Sequence, residues 1–73
     1  MKSGLLWYDA SSNPIERKIA DAAKRYYEKF GVRPNTVFVN DKDFRADAEI
    51  PQMHVAAKRT ILPNHVWVGL RDN

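Results

Sequence analysis

The chain has 73 residues, with 12 Lys or Arg against nine Asp or Glu for a net charge of +3, 44% hydrophobic residues and no cysteine. This length supports one thin core, so a single domain over 1–73 is expected. The composition excludes a disordered chain, disulfides and cysteine-ligated zinc.

The segment Gly4-Leu5-Leu6-Trp7-Tyr8 is an apolar run closed by Asp9, Ser11, Ser12 and Asn13, which reads as a short strand apolar on both faces. It is too short for a signal-peptide core or a membrane span. A cytoplasmic chain without membrane contact is therefore expected.

Asn13-Pro14-Ile15-Glu16 carries helix-start chemistry: Asn13 as cap, Pro14 where no donor is needed, Glu16 in the first turn. Ile15, Ile19, Ala22, Ala23, Tyr26 and Phe30 then recur at three- and four-residue steps and line one face of a helix predicted over 14–30. Gly31 and Pro34 end it.

Thr36-Val37-Phe38-Val39 is β-branched and aromatic and reads as a second strand. Strand, helix and strand in succession imply a parallel pair, which sets Asp9 and Asp41 at one sheet edge. Asn40 can cap a short helix through Phe44 and Arg45, and the stretch to Ile50 is otherwise mostly loop. Stretches 53–59 and 65–70 read as two more strands, with Pro63-Asn64 suggesting a hairpin between them.

The fold class expected is α/β in an α+β two-layer form. A β-α-β-β-β mixed sheet of four strands has one face covered by a single long helix. Each strand is apolar on both faces, with Leu5 and Trp7 against Leu6 and Tyr8, Val37 and Val39 against Phe38, and Val66 and Val68 against Trp67. Large side chains on the face the helix leaves bare forgo about 1.5 to 3 kcal/mol each. A second copy, another protein or the 41–50 loop can cover them, and a homodimer is the expectation favoured by the frequency of two-fold assemblies.

Three candidate sites follow. Lys18, Arg25 and Lys29, with Arg33 and Tyr27, form a basic flank able to track nucleic-acid phosphates, although Arg17, Asp21, Lys24, Arg25 and Glu28 also pair at helical spacing as on any solvated face. Asp9, Asp41 and Asp43 converge beyond the parallel strands, where carboxylates can hold Mg²⁺ for phosphoryl hydrolysis. The same acids serve as turn residues. Ser11, Ser12 and Asn13 precede helix N–H groups that attract anions, but no glycine-rich phosphate loop accompanies them and capping explains them equally.

His54 and His65 can face each other across the expected hairpin, or His65 can fix the Asn64 turn. No nucleophile elbow or Ser-His-Asp spacing is present. The sequence thus reads as an accessory, protein-interaction module acting as a homodimer, without cofactor. Weak nucleic-acid binding and Mg²⁺-dependent hydrolysis are the alternatives.

Overall fold

Apolar period and turn chemistry translate into elements at nearly the expected places. The computed structural model describes residues 4–45, 50 and 53–71. Its elements are β1 (Gly4–Tyr8), α1 (Ile15–Phe30), β2 (Thr36–Val39), β3 (His54–Ala57) and β4 (His65–Gly69).

Helix α1 starts differently from the expectation. Pro14 holds the cap position with extended backbone, and no side chain caps the first turn. The Pro14 carbonyl accepts from the Arg17 and Lys18 amides at 3.0 and 3.2 Å. Asn13 is drawn into the preceding turn, where its amide donates to Ser11 Oγ at 3.2 Å and the Ser11 amide donates to Asp9 Oδ1 at 2.8 Å. Pro14 itself has ψ 156°, outside the helical range, so the helix begins after it. At the other end Gly31 takes φ 75°, and its amide donates to Tyr27 O at 2.8 Å. Only glycine enters that conformation without a Cβ penalty.

The sheet order is β1-β4-β2-β3. β1 and β2 run in the same direction, but both pair antiparallel with β4, which lies between them. The expected hairpin of the last two strands does not form: β3 pairs parallel with β2 instead. Burial gives the reason. β2 (TVFV) is buried throughout and β4 (HVWVG) nearly so, whereas β1 alternates and β3 (HVAA) is half-exposed. β2 and β4 therefore occupy the centre, where both edges are paired, while β1 and β3 take the rims.

The Pro63-Asn64 turn survives this change. Asn64 has φ 64°, a conformation that Asn tolerates, and the His65 amide donates to Leu62 O at 3.2 Å. Asn40 closes one turn rather than a helix: its Oδ1 accepts from the Lys42 amide at 2.9 Å. Its Nδ2 reaches across to Ile61 O at 2.8 Å, tying this turn to the one before β4.

Strand alternation sends Val37, Val39, Val66 and Val68 to the helix side, where they close on Ile19, Ala22 and Tyr26. Leu5, Trp7, Ile15, Val55, Leu70, Ile50 and Met53 complete that cluster. Of the expected helix stripe, Phe30 lies at the margin, its ring tilted 44° against Tyr26 with ring centres 4.6 Å apart.

Candidate functional surfaces

The second sheet face is set by register. Leu6 stands opposite Trp67 on β4, Trp67 opposite Phe38 on β2, and Phe38 opposite Ala56 on β3, while Tyr8 stands opposite His65. Among the described residues no element covers this row. Leu6 is 58% exposed and Tyr8 63%.

The rings partly shield one another. Trp67 stacks on Phe38 at 5.3 Å with planes 22° apart, and Lys58 places its ammonium 4.1 Å from the Phe38 ring centre, a cation–π contact. Phe38 is thereby only 7% exposed. Trp67 lies so close over Gly4 that a Cβ there would overlap the indole. At one margin Tyr8 and His65 meet with ring centres 4.9 Å apart, and His65 Nδ1 bonds Pro63 O at 2.9 Å. His65 therefore fixes the turn, as one of its two expected roles had it. It does not face His54, which sits on β3 opposite Thr36.

The basic flank is dispersed. Lys18 is only 7% exposed. Arg25 lies 4.0 Å from Glu28, and Lys29 holds its ammonium 5.4 Å from the Phe30 ring centre. Tyr27 and Arg33 lie apart from these, beside Ala23, Pro34, Ile50 and Met53, around a cavity of about 380 Å³ between α1 and the approach to β3.

The three acids do share one sheet end, but each is engaged locally. Asp43 Oδ2 accepts from the Asn64 amide at 2.8 Å, and Asp41 lies 4.0 Å from Arg59. The Ser11 hydroxyl and amide hold the Asp9 carboxyl below its ordinary pKa, with a smaller contribution from nearby Lys18, because hydrogen bonds to the charged form favour it. Among the described residues no three His, Asp or Glu side chains gather into a metal-holding group.

Sequence reasoning missed the environment of Lys18. Its side chain joins Lys42 and Arg45 around a cavity of about 300 Å³ at the entry of α1. The missed signal was positional: Lys18 precedes Ile19 and lies one turn from Ala22, at the border of the apolar stripe, where a long side chain buries its stem.

No described helix is long and apolar enough to cross a membrane. Compared with protein-family models, curated proteins and solved structures, the chain matches none. Its functional reading comes from its own geometry.

Proposed function

We infer that this domain is a protein-interaction module whose partner is a second copy of itself, docked on the open sheet face. The observation that carries the reading is the row Leu6, Trp67 and Phe38 with Tyr8 at its margin: it is apolar, continuous across three strands, and has two large side chains more than half exposed. Two such faces stack under a two-fold axis about 10 Å apart, as in sheet-on-sheet packing, with each surface complementary to itself.

The footprint sets the strength. Four strands about 4.8 Å apart and about 3.3 Å per residue give a face of about 300 Å². That is less than half of the about 800 Å² per partner that a specific interface of standard size buries. The dimer is accordingly reversible, with dissociation in the micromolar range or weaker. A cytoplasmic accessory role fits a chain without cysteine.

Sedimentation equilibrium from low micromolar to millimolar concentration tests the proposal. The natural chain approaches twice the 8.4 kDa protomer mass as concentration rises, and Leu6→Lys stays monomeric without loss of fold, because Leu6 does not belong to the helix-side core. A natural chain that remains monomeric throughout refutes it. The half-buried Trp67 ring, stacked on Phe38 next to Lys58, also offers a surface of the kind on which single-stranded bases stack. Salt-sensitive quenching of Trp67 fluorescence by an oligonucleotide, in a chain that stays monomeric, assigns the face to nucleic acid instead.

A further inference from the structure

We propose that the outer edge of β1 pairs with β1 of a second copy, antiparallel about a two-fold axis at Leu6, joining the two sheets into one. β1 is a rim strand, and among the described residues its one ladder partner is β4. The ladder fixes which main-chain groups are spent there. The Asp9 amide donates to the Asn64 carbonyl at 2.8 Å, one step beyond the Tyr8–His65 pair. Bonded and unbonded pairs alternate along an antiparallel ladder. Trp7 and Leu5 therefore also bond β4, whereas Gly4, Leu6 and Tyr8 turn their N–H and C=O groups away from the sheet.

That edge carries none of the usual guards. Edge strands are blunted by charge, proline or a bulge. The segment GLLWY has no charged residue and no proline, and its register with β4 runs through all five residues without a break. The outward residues are also the open ones: Gly4, Leu6 and Tyr8 are exposed, while Leu5 and Trp7 between them are half-buried. The other rim strand, β3, has four residues and runs directly into Lys58 and Arg59, charges of the kind that discourage pairing. One open edge per copy gives a closed pair and no fibre.

The strand's own symmetry selects the occupant. The three outward residues are spaced evenly about Leu6, so a copy centred there sets Leu6 opposite Leu6 and Gly4 opposite Tyr8. All three then exchange both main-chain bonds, about six in all. Shape agrees with this register. The bulky Tyr8 falls opposite the residue without a side chain, and its ring comes beside the Trp67 indole that lies over Gly4, an aromatic cross-strand neighbour. Area supports the same occupant. The joined sheet carries the row Phe38, Trp67 and Leu6 across the axis and doubles the open face to about 600 Å², closer to the about 800 Å² of a standard interface. The edge pairing uses main-chain groups, so it does not rest on the face docking; where both form, two joined sheets stack as four chains.

Amide hydrogen exchange on the natural chain, followed by NMR from low micromolar to millimolar concentration, tests the proposal. The Gly4, Leu6 and Tyr8 amides slow together as chains pair, by about tenfold once only a tenth of the chains are free to exchange. Leu6→Pro removes an outward N–H and no bond to β4, a change that edge strands tolerate, and it abolishes the slowing. Leu6→Val trims the same side chain, keeps the N–H and retains the slowing. The natural chain needs no substitution, so its exchange decides the matter where Leu6→Pro folds poorly. Self-association with those three amides at their free rates overturns the edge pairing and leaves the face docking standing. Slowed amides with unmoved Phe38 ring resonances uphold the edge pairing and refute the face docking. A chain monomeric throughout, or equal slowing in Leu6→Pro and Leu6→Val, overturns the proposal.

Discussion

Replacing Gly4 by alanine probes how the open face shields itself. An added Cβ would stand 2.5 Å from Trp67 Nε1 and closer still to Cζ2 and Cε2, whereas carbon atoms in contact rest about 3.5 to 4.0 Å apart. The indole must therefore retreat by at least about 1 Å. It cannot slide freely, because its other side is stacked on Phe38 at 5.3 Å.

Overpacking of this kind costs about 1 to 3 kcal/mol. Alanine returns about 0.4 to 1 kcal/mol by restricting the unfolded chain. The net expectation is a loss of about 1 to 2 kcal/mol, or a fall in melting temperature of about 4 to 16 °C for a domain of this size. Urea unfolding followed by circular dichroism gives the free energy, and tryptophan emission reports the displaced ring. The same Gly4→Ala change in a Trp67→Leu background should cost less than half as much, since the clash is with the indole alone. Equal costs in the two backgrounds, or no cost in the natural one, would refute the reasoning.

Two further outcomes are expected. Gly31→Ala meets nothing within 4 Å, so its cost is the left-handed backbone alone, about 1 to 2 kcal/mol; Gly31→Asn should cost less, and urea midpoints measure both. The Asp9 carboxyl has its pKa lowered by folding, so its contribution is present above the ordinary carboxylate value of about 3.9 and fades as pH falls through the folded-state value. Asp9→Asn should flatten stability against pH below about 4 while leaving the trend at neutral pH unchanged, and melts at stepped pH check this.

Much of the architecture was legible along the chain. The one-helix, four-strand content, the bounds of β1 and β2, and the helix end at Gly31 follow from local rules: an apolar period, a β-branched run, and a glycine before a proline. The candidate sites were less legible. Alternation sorted each strand's residues between two faces, and the structure joins Leu6, Trp67 and Phe38 in one row with Tyr8 at its margin. Spacing along the helix grouped Lys18 with Arg25 and Lys29, but spacing ignores which border of the stripe the packed sheet encloses. Asp9, Asp41 and Asp43 reach one sheet end as expected, and each then finds a nearer partner than a metal.

The sequence by itself determined which segments form helix or strand and which side chains share a face, because both depend on neighbours within a turn or a pleat. Only the tertiary structure decided that β4 enters between β1 and β2, that Trp67 folds over Gly4, and that Lys18 is mostly buried. Those outcomes depend on which strands gain most from a central place, and that competition among distant segments is settled by burial summed over the whole sheet.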